Sequence, residues 1–171
     1  MTVALSAKDI ETKAAKTLRD HDLYRYPVDV RELARALNIE VYSADFDNKA
    51  ISGVIRKENG QTAIYYNRDH HPNRVRFTIA HEIGHFVLGH LENRDGITDE
   101  QLDMYRRDDR STNPSYCLEV AANRFAAALL MPSEFVLTVW DICDGDVEEM
   151  ARRFRVSAVA MGYRADHVDR N

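Results

Sequence analysis

Apolar residues along this chain recur with two different periods, and the alternation of these periods predicts the order of its elements. Ile10, Ala14 and Leu18 fall on one face of a helix that Ser6, with Asp9 three residues on, is suited to begin. Asp29 and Glu32 repeat that opening before Leu33, Ala34 and Leu37, which predicts a second short helix ending near Asn38. Three short strands follow, at 39–42, 52–56 and 62–66, the last two joined by a turn containing Asn59-Gly60. Pro72 suits the first turn of a long helix running to about His90, with Phe77, Ala80, Gly84, Val87, Leu88 and Leu91 as its apolar stripe. Residues 92–114 are charged and read as an exposed loop, with one helical turn at 101–105. A buried helix resumes over 116–131 and stops at Pro132. Ser133 is expected to cap a short helix carrying Phe135, Val136, Val139 and Trp140, and two more helices follow at 147–154 and 158–166, with Ser157 as the cap between them. The pattern is that of an α+β domain, mostly helical, with a small three-stranded antiparallel sheet.

Composition narrows the class. With 171 residues, 44% hydrophobic and 30% charged, the chain can bury a sizeable core as a single domain over 1–171. It divides into N-terminal helices (1–38), the sheet (39–67), two long helices with their connecting loop (72–132) and C-terminal helices (133–171). Collagen-like, low-complexity and disordered classes are excluded. The longest near-apolar run, 125–131, is far short of the roughly 20 residues of a membrane span. The first residues lack a basic stretch followed by a sustained apolar one, so no signal peptide, no membrane partner and a cytoplasmic location are expected.

A net charge of −5 offers no global field for nucleic acid. The run Ala151-x-x-Phe154-x-Val156-Ser157-x-x-Ala160 resembles a helix-turn-helix pattern, but residues 146–171 hold five Arg against five acidic residues. Phosphate binding needs a cationic excess, so direct nucleic-acid contact is disfavoured. Two cysteines, Cys117 and Cys143, are too few for a disulfide scaffold. Three of the seven histidines fall within ten residues, and that cluster is where function is to be sought.

His81-Glu82-Ile83-Gly84-His85 is an H-E-x-x-H motif. On a helix its histidines lie one turn apart on one face, so both imidazoles can reach one ion. Glu82 is turned by about 100° from His81, where it can meet a water on the metal instead of the metal. Zinc suits two imidazoles and a carboxylate, with a fourth position left for water. Glu82 is then the general base that moves that water's proton to a leaving amine. The third ligand separates the possible classes. A metzincin requires Gly at 88 and His at 91, where this chain has Leu88 and Leu91, with Gly89 and His90 out of register. A peptide deformylase takes an upstream cysteine, and none precedes His81. A glutamate from a later helix remains, and Glu119 is the best candidate. Glu119, Ala122, Asn123 and Ala126 share one helical face, and the two alanines let that helix lie close to its partner.

The stretches 76–85 (RFTIAHEIGH) and Glu119-x-x-Ala122-Asn123-x-Phe125-Ala126-Ala127-x-Leu129-Leu130-Met131-Pro132 resemble the ImmA/IrrE family of bacterial and phage metallopeptidases. The likeness extends upstream to Pro27-Val28-Asp29-Val30 and Leu33-Ala34, and downstream to Met150-Ala151-x-x-Phe154-x-Val156-Ser157. The resemblance implies a gluzincin-like core with one Zn2+ held by His81, His85 and Glu119, and Glu82 as general base. It also implies a narrowly specific endopeptidase that cleaves a helix-turn-helix repressor, releasing genes of mobile elements, stress responses or phage defence. A second reading keeps the same ligands in a non-proteolytic module that sequesters a repressor or toxin partner; the presence of Glu82 favours chemistry.

Other candidates are weighed on the same terms. Strand 62–66 precedes the active helix and is expected to offer an exposed edge to an extended substrate. Tyr65 and Tyr66 alternate faces on it, so one can reach the cleft as an oxyanion donor while the other enters the core. Cys117 reads as a buried structural thiol if the helix already covers it, and as a fourth ligand or latch on the zinc if the backbone there is irregular. His90, about 140° around the helix from His85, reads as a polar residue at the helix end. The run 106–110 (RRDDR) is a solvated loop or a lid.

Overall fold

A computed structural model describes residues 5–91 and 114–168. The expected loop, its helical turn at 101–105 and the 106–110 run lie outside the described residues, apart from Pro114. Helix α1 is Ala7–Asp20; Ser6 Oγ accepts from the Asp9 backbone N–H at 3.2 Å while Asp9 accepts from the Ser6 N–H at 3.0 Å. That reciprocal pair satisfies two donors that the first helical turn leaves open. Helix α2 is Val30–Ala36, with Asp29 Oδ1 accepting from the N–H groups of Arg31 and Glu32. Glu32 does not complete a second capping box; its carboxylate pairs with Arg25 at 2.8 Å.

Strands β1 (Ile39–Ala44), β2 (Gly53–Glu58) and β3 (Gln61–Asn67) form one sheet in the order β1-β3-β2. β2 and β3 are an antiparallel hairpin whose turn places Asn59 at φ 51° and Gly60 at φ 81°, the left-handed pair that this sharp connection demands. β1 pairs with β3 in parallel, Val41 opposite Ile64. The sheet is therefore mixed, not antiparallel as expected. Alternation along a strand reports which face is buried but not which neighbour it pairs with. The connection 45–52 carries the chain past β3 before the hairpin begins. The consequence is that β3 is the central strand, with Ile64 fully buried. Both its edges are paired, so it is not the exposed rim that the sequence suggested; the edges belong to β1 and β2.

Helices α3 (Pro72–Val87), α4 (Pro114–Leu130), α5 (Ser133–Ile142), α6 (Val147–Phe154) and α7 (Ala158–His167) complete the described chain. α3 packs on β2 and β3 and also on α4, and α1 lies against α4. Ile79, Ile83, Ile64, Phe125 and Leu129 meet in one core. Two helix ends differ from expectation. Ser133 is the first residue of α5 and Pro132 its N-cap, with no side-chain cap bond. α3 stops at Val87 instead of near His90, because Gly89 takes φ 74° and turns the chain out of the helix. Ser157 caps α7 as predicted, accepting from the Ala160 N–H at 3.1 Å. Among the described residues no single helix is long and apolar enough to cross a membrane.

Candidate metal centre

The facing surfaces of α3 and α4 bring together the residues that the motif singled out. His81 and His85 stand one turn apart on α3, 8% and 0% exposed, and Glu119 reaches them from α4. Glu119 Oε2 lies 3.1 Å from His81 Nε2, Glu119 Oε1 lies 3.3 Å from His85 Nε2, and the two Nε2 atoms are 3.0 Å apart. Three donors bound tetrahedrally to zinc at 2.0–2.1 Å stand about 3.3–3.4 Å from one another. The two imidazole nitrogens stand near that spacing from each other and each from one oxygen of the same carboxylate, with one donor atom per residue within 4.8 Å of the others, and two imidazoles with one carboxylate is a donor set that zinc favours. The residues fit the metal.

The approach of α4 depends on small residues. A Cβ on Gly84 would lie 3.2 Å from the Ala122 carbonyl oxygen and 3.1 Å from Phe125 Cδ1. Glycine at the centre of the motif and alanine opposite it thus let a glutamate, with its short reach, span the two helices.

Electrostatics prepare the same spot for a cation. Burial pushes the Glu119 carboxyl up, but hydrogen bonds from His81 and His85 and their charge outweigh it and hold the group far below the ordinary carboxylate range. Burial likewise opposes charge on His81, yet the hydrogen bond to Glu119 and the Glu82 and Glu119 carboxylates overcome it and raise its pKa. Glu119 is an anion at any physiological pH, enclosed with two nitrogen donors. Glu82 is 3% exposed on the next position of α3, close enough for its charge to act on His81.

Two neighbours extend the centre. His81 Nδ1 is 2.9 Å from Asn123 Oδ1, and His85 Nδ1 is 2.9 Å from His90 Nδ1. Since an amide oxygen only accepts, His81 carries a hydrogen on Nδ1, so the proton on Nε2 that Glu119 accepts is the one a metal would displace. Asn123 shares the Glu119 face in the sequence, one turn on, where spacing alone points to no role. Helical periodicity puts His90 on another face, and it is instead buried at 7% exposure. The signal that could have found it is Gly89, the residue type that ends a helix and reverses the chain.

The remaining candidates show other surroundings. Cys117 is exposed, not buried, and outside any disulfide. It sits on regular helix about 200° around α4 from Glu119, so the irregular backbone that a latch requires is absent. The Tyr65 ring stacks on Tyr42 at 5.6 Å, and Tyr66 lies beneath the Arg31 guanidinium at 4.9 Å. Neither contact involves the His–Glu cluster.

Comparison with known proteins agrees with this geometry. Residues 34–166 match the peptidase family described as the IrrE N-terminal-like domain. The radiation response metalloprotease IrrE of Deinococcus deserti is 36% identical over 116 residues, 61% of this chain and 39% of that protein. This chain therefore spans well under half the length of that relative. A solved Mycobacterium tuberculosis transcriptional regulator superposes with a TM-score of 0.66 over 92% of this chain and 46% of its own, at 18% identity, a likeness of fold. With the family match covering most of the sequence and the H-E-x-x-H helix meeting a glutamate from the following helix, this chain belongs to the ImmA/IrrE family of metallopeptidases.

Proposed function

We propose that this chain is a zinc-dependent regulatory endopeptidase of the cytoplasm, holding one Zn2+ through His81, His85 and Glu119, whose substrate is a helix-turn-helix transcriptional repressor. The observation that carries the proposal is the His81–His85–Glu119 cluster, its histidines buried and its glutamate partly so, with Glu82 next to His81 on α3. The bound zinc would polarise the scissile carbonyl and acidify the water that attacks it. Glu82 takes a proton from the attacking water and passes it to the departing amide nitrogen, which cannot leave as an anion. Glu119 and the imidazoles stay fixed, because each sits in a packed contact between α3 and α4. The regulatory reading is supported by the kinship with a radiation response metalloprotease and by the repressor-cleaving activity that the family resemblance implies.

Substrate would enter along β2. It is an edge strand, and a Cβ on its Gly53 would meet Thr78 Cγ2 of α3 at 2.5 Å, so the edge runs beside the helix that carries the motif. An extended peptide can add to such an edge through main-chain hydrogen bonds.

Co-expression with a helix-turn-helix repressor encoded beside this chain tests the reading. A discrete repressor fragment is expected, lost in Glu82→Gln while zinc remains near one per chain by elemental analysis. An intact repressor that co-purifies with both versions would instead establish a sequestering module.

A further inference from the structure

We infer that His90 is a positioning residue for the metal centre, holding His85 in the one tautomer that can bind zinc. The inference rests on the proposed ligand set. His85 Nε2 faces Glu119 and His81, so it must be bare to serve as a ligand. Its ring hydrogen then sits on Nδ1, and at 2.9 Å the partner that accepts it is His90 Nδ1. Metal-bound histidines commonly donate their other ring N–H to an oxygen acceptor, which orients the ring and raises the basicity of the ligand nitrogen. Asn123 Oδ1 fills that place for His81, and a second imidazole fills it for His85.

The end of α3 builds this contact. The Gly89 N–H bonds to the Phe86 carbonyl at 3.1 Å, and the His90 N–H to the His85 carbonyl at 2.9 Å. With Leu88 as C-cap and Gly89 left-handed, these are the paired bonds of a Schellman turn. That turn folds the residue after the glycine back over the residue five positions earlier. The pair is usually apolar; here it is His90 over His85, with ring centroids 5.1 Å apart. A helix stop signal thereby delivers an acceptor to a metal ligand that helical periodicity would place on another face.

Three proteins test this: the wild type, His90→Phe and His90→Asn. Phenylalanine keeps a ring but removes the acceptor, whereas the Asn Oδ1 stands as many bonds from the backbone as the His Nδ1. Zinc affinity is read by competition with a chromophoric chelator, and the Co(II) derivative by its visible d–d spectrum. His90→Phe is expected to bind zinc about 10- to 100-fold more weakly, with an altered cobalt spectrum. His90→Asn is expected to restore both toward the wild type. Equal affinity and spectra in all three, or equal loss in both variants, overturns the role. Long-range 1H–15N correlation of the zinc-loaded wild type keeps the inference testable if His90→Phe does not fold: a hydrogen on His85 Nδ1 is expected, and one on Nε2 overturns it. A wild type that takes up no zinc refutes the ligand set itself, a result distinct from either.

Discussion

Gly84 and Ala122 meet so closely that the α-carbon of Ala122 would lie only 3.4 Å from a methyl group built on Gly84, and its carbonyl oxygen 3.2 Å. The approach of the glutamate's helix to the two histidines therefore depends on a pair of residues that supply no ligand atom. Gly84→Val is expected to force the helices apart. Overpacking of this kind costs about 1–3 kcal/mol. A lowered denaturant midpoint together with weakened zinc binding would show that both depend on this contact, while unchanged zinc affinity would uncouple them.

Glu119 supplies the only carboxylate of the triangle. Glu119→Ala is expected to bring zinc content down to background, in contrast to Glu82→Gln, which leaves all three ligands in place. Elemental analysis of the two purified variants, side by side, decides whether Glu119 is the third ligand.

Metal removal should lower stability without dissolving the fold, because the core of Ile64, Ile79, Ile83, Phe125 and Leu129 is built from side chains that do not ligate. An ion that binds only the folded state stabilises it by about 2.7 kcal/mol when free ion is 100 times its dissociation constant. Chelation is expected to lower the thermal midpoint while the far-UV circular dichroism at room temperature stays unchanged. Loss of the helical signal would make the site a folding element.

Gly89 holds φ 74° with nothing within 4 Å of where a Cβ would project. Gly89→Ala thus meets backbone strain alone, roughly 1–2 kcal/mol for a left-handed alanine. Reduced thermal stability with a matching loss of zinc affinity is expected, since the same turn delivers His90. A stability change with no effect on zinc would separate the cap from the metal.

Arg164 is 8% exposed and makes a two-pronged ion pair with Glu11 while its Nε donates to the Met131 carbonyl at 2.9 Å. It ties α7 to α1 and to the end of α4. Glu11→Ala would leave a buried charge without its counter-ion, a change that costs about 3 kcal/mol or somewhat less because Glu11 is itself partly exposed. Urea denaturation measures it.

Features read correctly from sequence share a local cause. Ser6, Asp29 and Ser157 act on amides two or three residues away, and Asn59-Gly60 shapes a turn four residues long. The H-E-x-x-H spacing places two imidazoles through helix geometry alone. Glu119 was legible because its own helical face carries alanines. By contrast, Ser133 lies inside its helix because Pro132 already supplies the extended residue before it.

What the sequence determined by itself is the set of elements, the chemistry of the donors and the family, since each follows from short-range periodicity, capping or spacing. Tertiary structure alone decided that β1 crosses to pair with β3, that β2 is the edge beside the helix that carries the motif and that Cys117 faces outward. These depend on which surfaces meet after the chain reverses. Periodicity is a property of one uninterrupted element, and Gly89 marks the point where that element ends and a distance in space replaces an angle along a helix.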